Sequence, residues 1–529
     1  MKVDMPAPDM PATDTASPAV PAPGIFWLTR DFRFDDNPAL LAALAEGPLA
    51  VHFFLDRLTL AQGAASRWRL ERALRAFDAE LRRRTGGTGI TLWQGEPEAV
   101  FPALLQSAGA RSIHQSDWPA PEMRALQTRV RNAVQRVGGE LVLHAGHLLV
   151  HPRLLRTQQG AGFKVYTPFA RALRRIGPDR PAPDAPQRIT AQACAFAPAP
   201  AAGIPAPLPA IPDLAPDLHR GRAALETFAL PAGEAAAHAR FGAFLDQAAG
   251  YGDLRDRPDL EATSGLSEHL ALGEISPRRI WARARLAAEA DPARAAGIGS
   301  FLSEVIWREF AWHLLIESPD LATRCWRPEW EAFPWRETPR DLADWRQART
   351  GVALVDAGLR EMWLSGRMHN RVRMVVASWL TKHLLIDWRA GLAHFADCLT
   401  DWDPAANAMN WQWVAGCGPD ASPFFRIFNP EKQARQFDPE GRYRARWLEG
   451  YGLPAPDGPE ARAYREAIPR AWLERDPRDP ATAAVAGWQG QETGQGAAAL
   501  AGHLAQGRAR ALAAYEAFRE RPSQAQDRP

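Results

Sequence analysis

A run of hydroxyl side chains near the middle of the chain could bind a phosphate. The residues from Thr263 to Ser267 read TSGLS and stand just before an apolar periodic stretch. Such a run is typical of a helix N-terminus, where free backbone N–H groups, hydroxyl donors and the positive end of the helix dipole also suit a phosphate. Simple capping of the helix explains the run equally well. For a second helix start, Ser276-Pro277, we favour capping alone.

Three side chains of different chemistry share one face of a predicted helix. Glu304, Trp307 and Arg308 stand at positions i, i+3 and i+4, which are neighbours on a helix surface. The ring could stack on a planar heterocycle while the carboxylate accepts its N–H. Taken without further context, an ordinary Glu–Arg pair beside a core tryptophan is the simpler interpretation.

An amide, a thioether and two arginines lie close together in the run MHNRVRM, which extends from Met368 to Met374. On a helix, Asn370 and Met374 share a face and Arg373 lies beside them. A plain amphipathic helix rarely combines these side chains. A solvated basic face is the alternative.

The richest group of polar and aromatic residues begins at Asp401 and ends at Trp413. It has no clean apolar stripe, and Asp401, Asp403 and Asn407 could line a polar cofactor. Trp411 and Trp413, if helical, point to nearly opposite faces, because two residues make about 200° of turn. A metal bound by the two aspartates is an alternative, although no third ligand is evident.

Taken together, the hydroxyls, arginines, carboxylates, amides and indoles of these four groups suit a bound aromatic cofactor and an aromatic substrate better than acid–base hydrolysis. The sequence has no hydrolase nucleophile motif, no P-loop and no GxGxxG fingerprint. Its four cysteines are far apart, so neither a disulfide framework nor a metal site is expected. The 20 tryptophans indicate either that many indole rings pack in apolar cores or that some of them have a functional role. Because the net charge is only +2, any binding to DNA must come from a local basic patch.

Two kinds of secondary structure must position these groups. Apolar strand-like runs that alternate with amphipathic stretches predict a parallel α/β domain, and from Gly233 the chain is helical almost throughout. The candidate strands are Ile25–Leu28, Leu49–Phe54, Gly89–Trp93, Ser112–His114 and Leu141–His144. We predict a disordered tail (1–24), an α/β domain (25–150), a Pro- and Ala-rich interdomain linker (151–231), a helical domain (232–520) and a second tail (521–529). The N-terminus lacks the apolar core of a signal peptide and no run approaches a membrane span, so we expect a soluble, cytoplasmic protein.

Several motifs, in order along the chain, resemble those of the photolyase/cryptochrome superfamily. The run WLTRDFRFDDNPAL, from Trp27 to Leu40, resembles the opening motif of that family. The signatures of its flavin domain are similar to Thr263–Ser267, Val305–Phe310, Asn407–Trp413 and Phe425–Pro430, and its last helix is similar to Arg510–Tyr515. By this resemblance the chain is identified as a member of the family from about Ile25 to Phe518.

The resemblance implies a Rossmann-like α/β antenna domain followed by an all-helical domain that binds FAD, active as FADH⁻. The residues that would hold FAD are Tyr251, Arg255, Thr263, Ser264, Leu266, Ser267, Asn370, Arg373, Asp401, Asp403 and Asn407. Asn407 would face flavin N5, and its neutral amide would favour the reduced anionic flavin. Members of the family can carry a second, antenna chromophore, and a folate, a deazaflavin, another flavin or none are all open here.

The activity that the resemblance implies is light-driven repair of cyclobutane pyrimidine dimers (CPDs) in ultraviolet-damaged DNA. An electron would pass from excited FADH⁻ to a flipped-out dimer. Six-four photolyases carry two histidines where Asn370 and Met374 stand, so these residues match the CPD type. A six-four photolyase and a signalling cryptochrome are the alternatives; plant cryptochromes have Asp in place of Asn407.

The resemblance also assigns roles to individual side chains. The catalytic pocket would consist of Glu304, Trp307, Asn370, Met374, Asn407 and Trp413. The DNA contacts would come from Trp307, Arg308, Arg371, Arg426 and Trp413. A chain of tryptophans, Trp411, Trp388 and Trp335, would carry electrons from the surface to the flavin. A monomer without an obligate protein partner is the habit of the family.

Overall fold

The computed structural model describes residues 22–191, 206–420, 426–448, 459–469 and 494–520. The predicted tails, 1–24 and 521–529, lie outside these ranges except for residues 22–24. The described chain has an α/β part followed by a helical part, which confirms the predicted fold class. None of its helices is both long enough and apolar enough to cross a membrane.

A parallel sheet forms the centre of the N-terminal part. Its strands are β1 (Gly24–Trp27), β2 (Leu49–Leu55), β3 (Thr91–Gln94), β4 (Ser112–Ser116) and β5 (Glu140–His144). They lie in the order β3-β2-β1-β4-β5, and every neighbouring pair is parallel. All residues of β1 and β2 are buried. Burial on both faces explains why these strands are apolar at every position except His52, rather than alternating between apolar and polar residues.

Two apolar cores pack against the sheet, one on each face. Ile25 and Trp27 belong to one core, whereas Phe26 and Leu28 belong to the other, because successive side chains of a strand point to opposite faces. The helices of this part are α1 (Pro38–Glu46), α2 (Arg57–Leu60), α3 (Ala64–Thr85), α4 (Pro97–Ala108) and α5 (Pro121–Gln135). The core that contains Ile25 continues without a break into the helical part as far as Met409.

The helical part surrounds a second large core that is rich in tryptophan. Its helices are α6 (Tyr166–Ile176), α7 (Arg222–Thr227), α8 (Glu234–Gln247), α9 (Tyr251–Leu254), α10 (Ser267–Leu272), α11 (Pro277–Ala290), α12 (Ala295–Glu317), α13 (Pro339–Arg346), α14 (Ala353–Ser365), α15 (Asn370–Ser378), α16 (Trp388–Cys398), α17 (Pro404–Ala415), α18 (Pro430–Phe437), α19 (Arg442–Trp447), α20 (Pro459–Ala467) and α21 (Gly494–Arg519). A π-helical turn, Trp379–His383, follows α15 directly.

The segment predicted as an interdomain linker contains an element of the helical part. Helix α6 packs against α12, and the ring of Phe169 lies 5.2 Å from that of Phe310. Phe169 and Leu173 are fully buried. The amphipathic pattern of α6 is short and stands among glycines and prolines, so contact with α12 rather than intrinsic propensity stabilises it.

A buried carboxylate joins the opening motif to the helical part. Asp36 is fully buried, and the Arg278 guanidinium donates to both of its oxygens at 2.7 and 3.0 Å. Arg33 donates to the Asp36 carbonyl and, at 2.9 Å, to the carbonyl of Gly273. Ser276 also hydrogen-bonds Asp36 and accepts from the Arg278 backbone N–H at 3.1 Å, which confirms its predicted role as the cap of α11.

A second buried ion cluster joins α3 to α10. Arg69 on α3 donates to Glu274 at 2.6 and 3.0 Å and to Glu268 at 2.9 Å, and all three side chains are almost completely buried. Glu274 also accepts from His269 and from the backbone N–H of Gly233. Burial alone would raise the pKa of Glu274, but the charge of Arg69 and these hydrogen bonds lower it to about 2.

We expect the protein to lose stability as the pH falls from about 6.5 to about 4. Burial lowers the pKa of His52 to about 3 and those of His313 and His383 to about 4. Burial also lowers the pKa values of three further histidines, His144, His369 and His394. In this pH range the unfolded chain binds protons that the folded chain cannot, so acid favours unfolding. Thermal unfolding should therefore show a lower midpoint at pH 5 than at pH 7.5.

Buried carboxyl groups oppose this effect, because burial also raises the pKa values of Asp31, Asp56, Glu234 and Glu361. Burial raises the pKa of Glu309 to about 7 and that of Asp356 to about 6, so these two groups favour the folded state in acid. The variant His52→Gln should show a shallower pH dependence than the wild type. His219→Ala is the matched control, because His219 is exposed. An unfolding midpoint at pH 5 equal to or above that at pH 7.5 would contradict the prediction.

Candidate functional site

A cavity of about 600 Å³ lies in the helical part and brings together all four groups singled out in the sequence. This volume is within the range usual for cofactor sites. The cavity is lined by every residue predicted to hold the cofactor: Tyr251, Arg255, Thr263, Ser264, Leu266, Ser267, Asn370, Arg373, Asp401, Asp403 and Asn407. It is also lined by Glu304, Trp307, Arg308, Arg371, Met374, Trp411 and Trp413.

The hydroxyl run lines the cavity where α10 begins. No side chain caps this helix, whose N-cap residue is Leu266. Capping therefore does not account for Thr263 and Ser264, and their hydroxyls remain available to a ligand. Gly265 lies between them and the helix with φ +60°, and a Cβ atom there would come within 2.3 Å of the Arg240 guanidinium. The positive φ favours glycine at this turn, whereas the Arg240 guanidinium is the end of a flexible side chain and could move aside.

One guanidinium and one carboxylate form an ion pair at the cavity wall. Arg373 on α15 donates to both oxygens of Asp401 at 2.8 and 3.0 Å and to the Met368 carbonyl at 2.8 Å. Asp401 is almost buried, whereas about a fifth of the Arg373 side chain is exposed. The pairing fixes the guanidinium in one direction, as a site for planar polar groups requires.

The start of α17 places an amide oxygen in the cavity. Asp403 caps this helix by accepting from the Ala406 N–H at 2.8 Å, and it accepts from the Trp312 indole N–H at 3.0 Å. The amide nitrogen of Asn407 donates to the Asp403 carbonyl at 3.0 Å. The Oδ1 atom of Asn407 is then the atom left to accept a hydrogen bond from a ligand.

Glu304 forms an ion pair, but not with the arginine on its own helix. Its carboxylate accepts at 2.6 Å from Arg255, which directly follows α9, a helix that packs against α12. Arg308 instead donates to the carbonyl and the Nε2 atom of His147 at 3.0 Å and to Glu309 at 3.1 Å. The simple i, i+4 pair considered from the sequence is therefore wrong. The Arg308 side chain is only 11% exposed, which argues against its predicted contact with DNA.

Of the two other predicted basic contacts, Arg371 lines the cavity and Arg426 lies beside a lining residue, Trp413. Arg371 pairs with Asp256, and its guanidinium lies 4.4 Å from the centre of the Phe437 ring. Arg426 is exposed and lies 5.6 Å from the centre of the Trp413 ring. Both guanidinium groups therefore lie beside aromatic rings, and of the two Arg426 is the exposed one.

Several lining residues did not stand out in the sequence. Asp256, His369 and Asn410 line the cavity. His369 caps α15 by accepting from the Arg371 N–H at 3.2 Å, and burial lowers its pKa to about 4. It is therefore neutral at neutral pH. Its place within the run MHNRVRM was the available signal, whereas Asp256 carried none.

The three predicted electron-transfer tryptophans belong to one core but differ in exposure. Trp411 lines the cavity and is buried, Trp388 is fully buried and Trp335 is partly exposed. The nearest rings to Trp411 include Phe395 at 4.9 Å and Trp345 at 6.3 Å. This order of burial suits a path from the cavity to the surface, and the path itself stays a prediction.

A much smaller cavity, of about 20 Å³, lies at the carboxyl ends of β1 and β2. It has room for about one water molecule. The Arg30 guanidinium lies 4.9 Å from the centre of the Trp118 ring at this place. The antenna chromophore therefore stays an open expectation.

The large cavity suits a ligand that is both anionic and heteroaromatic. Its wall carries hydroxyl and guanidinium donors, carboxylate and amide acceptors, and indole rings. The sequence matches the family described as DNA photolyase over residues 24–187. It matches the FAD binding domain of DNA photolyase over residues 301–455. The donor set of the cavity fits FAD, with hydroxyls for phosphates and an amide oxygen for a ring N–H.

Known proteins resemble the chain over most of its length. A deoxyribodipyrimidine photo-lyase from Agrobacterium fabrum is 40% identical, over 81% of this chain and 87% of its own. The enzyme of that name from Escherichia coli is 39% identical, over 80% and 88%. Among solved structures, a class III photolyase from Agrobacterium tumefaciens has a TM-score of 0.76 and 35% identity, over 96% of this chain and 100% of its own. A cryptochrome from Synechocystis has a TM-score of 0.72 and 26% identity, over 86% and 95%.

Proposed function

The chain belongs to the DNA photolyase family, and we propose that it uses blue light to repair cyclobutane pyrimidine dimers in DNA. The observation that carries this proposal is the shared cavity. Glu304, Trp307, Asn370, Met374 and Trp413, which match a CPD pocket, line the same cavity as the residues that fit FAD. A lesion in that cavity would therefore lie next to the cofactor.

The protein's own side chains would bind the damaged strand and hold the lesion. Exposed Arg426, together with Arg371 on the cavity wall, would contact phosphates, which position the DNA without reading its sequence. A dimer stacks weakly on its neighbours, so extruding it costs less than extruding a normal base. Trp307 and Trp413 would stack against the extruded dimer, and Glu304 would hydrogen-bond its thymine edge.

The cofactor chemistry in this proposal is light-driven donation of one electron from FADH⁻, with the electron returned after the ring opens. The chain's contribution is orientation and electrostatics. Asn407 would accept a ring N–H through its Oδ1 atom and has no acidic proton to give. Burial of this amide, which is 8% exposed, would keep water away from that position.

One observation bears on the six-four alternative. A histidine, His369, does line the cavity. Its Nδ1 atom is used to cap α15, and its pKa of about 4 leaves it without the proton of an imidazolium at neutral pH. To donate a proton to a six-four lesion, His369 would have to give up its capping hydrogen bond and have a higher pKa. The CPD substrate is therefore favoured.

The test is a repair assay with the purified full chain and its flavin. Duplex oligonucleotides with a single CPD, a single six-four lesion or no lesion are incubated in blue light and in the dark. We expect restored thymines only for the CPD duplex in light. Repair of the six-four duplex would favour the six-four alternative. A coloured protein that binds flavin and repairs neither lesion would favour a cryptochrome.

A further inference from the structure

A tyrosine outside the cavity stacks on the tryptophan that would contact the lesion. The rings of Tyr166 and Trp307 are nearly parallel, with 4° between their planes and 3.6 Å between their centres. Trp307 lines the cavity, and Tyr166 is not among its lining residues. Because an indole has two faces and Tyr166 covers one, the opposite face is the one left for a ligand.

The tyrosine is itself held in place. Its hydroxyl donates to the Ser303 carbonyl of α12 at 3.0 Å. The Phe310 ring stands edge-on to both stacked rings, with centres 5.9 Å from each. Phe169, one turn further along α6, packs against Phe310. These contacts leave the Tyr166 ring little freedom to tilt, so its face sets the plane of the indole.

We propose that Tyr166 is a positioning residue that fixes Trp307 in the plane needed for stacking on the extruded dimer. This inference rests on the proposed function. An unsupported tryptophan on a cavity wall samples other rotamers, and a ligand that stacks on it must bear the cost of ordering it. Tyr166 orders the ring before the DNA arrives. Its contribution belongs to lesion recognition and not to the general attraction of DNA.

Replacing the tyrosine ring should weaken binding to damaged DNA selectively. For the flavin-loaded variant Tyr166→Leu, we expect the Kd for a CPD duplex to rise about 5- to 10-fold, as loss of one aromatic pair predicts. The Kd for an undamaged duplex should stay the same. Tyr166→Phe keeps the ring and should restore binding to within about twofold of the wild type. Thr167→Ala, an exposed neighbour on the same helix, is the matched control.

A double-mutant cycle with Trp307→Ala separates positioning from a simple structural role. If Tyr166 acts through the indole, Tyr166→Leu should cause no further loss in a chain that already lacks Trp307. Flavin content and thermal midpoint are measured for each variant. If Tyr166→Leu loses flavin, Tyr166→Met takes its place, and the same result is expected.

Three results would overturn the inference: unchanged CPD binding by Tyr166→Leu, an equal loss for damaged and undamaged DNA, or a full additional loss in the Trp307→Ala background. A wild-type protein that does not distinguish the CPD duplex from the undamaged one would instead contradict the proposed function. The two failures are therefore distinguishable in the same titration.

Discussion

The variant Glu274→Gln should lower the free energy of unfolding by about 3 kcal/mol, which is at the low end of the range for breaking a buried ion pair. Glu274 and Arg69 are 0% and 1% exposed, so neither charge has access to water. The amide would leave Arg69 with Glu268 as its remaining charged partner. It would also turn an N–H group toward donors of Arg69 or His269, which is unfavourable at a buried position.

The same substitution should reduce flavin binding, although Glu274 does not line the cavity. Glu274 follows α10, whose first residue, Ser267, is part of the hydroxyl run on the cavity wall. The carboxylate accepts from the Gly233 N–H at 2.8 Å and, through Arg69, ties α10 to α3 of the α/β part. Loosening this cluster should therefore allow the start of α10 to move relative to the opposite wall.

Urea unfolding and the flavin absorbance of the purified variant measure the two effects. The matched control is Glu289→Gln on α11, where a glutamate 63% exposed pairs with Arg285 at 3.5 Å. An exposed pair of this kind contributes little, so we expect a change of no more than about 0.5 kcal/mol and normal flavin content. A Glu274→Gln variant as stable as this control would refute the argument.

The sequence predicted the fold well where each element carries its own pattern. Strand β1 is an apolar run and β2 is one interrupted only by His52, and Ser276-Pro277 has the features of a helix start. The local sequence pattern was therefore enough to predict these elements. Helix α6 was missed because its pattern is short and its stability comes from packing on α12. The residues on either side of α6 are rich in proline and glycine, a composition that predicted an interdomain linker instead of a helix.

The sequence predicted which residues line the site better than it predicted which side chains contact one another there. Residue types that suit a flavin and a lesion occur in four separate runs, and the fold brings these runs to one cavity. The partners of Glu304 and Trp307 are Arg255 and Tyr166, which lie in other elements. Helical spacing predicts neighbours along one helix and carries no information about contacts between helices. The DNA contact predicted for Arg308 came from the family resemblance, which gave no indication of the hydrogen bonds that Arg308 donates to His147.

The variant Glu304→Ala should retain FAD and lower CPD repair about 10- to 100-fold, the effect expected for loss of a charged hydrogen bond in the reacting complex. Stability should change little. The Glu304 and Arg255 side chains are 34% and 28% exposed, and a pair with this access to water contributes about 0–1 kcal/mol. A large loss of repair without a loss of stability would therefore report on contact with the lesion.

The last residue of the same helix provides a matched control for this experiment. Glu317 on α12 pairs with Arg156 at 2.7 Å and is 26% exposed, but it lies outside the cavity lining. Glu317→Ala should therefore repair CPDs at the wild-type rate and unfold at nearly the same urea concentration. Single-turnover repair under saturating light, with flavin content measured in parallel, compares the two variants directly. Equal repair rates for Glu304→Ala and Glu317→Ala would exclude Glu304 from the catalytic pocket. A Glu304→Gln variant intermediate between Glu304→Ala and the wild type would indicate that the acceptor oxygen and the negative charge each contribute to holding the dimer.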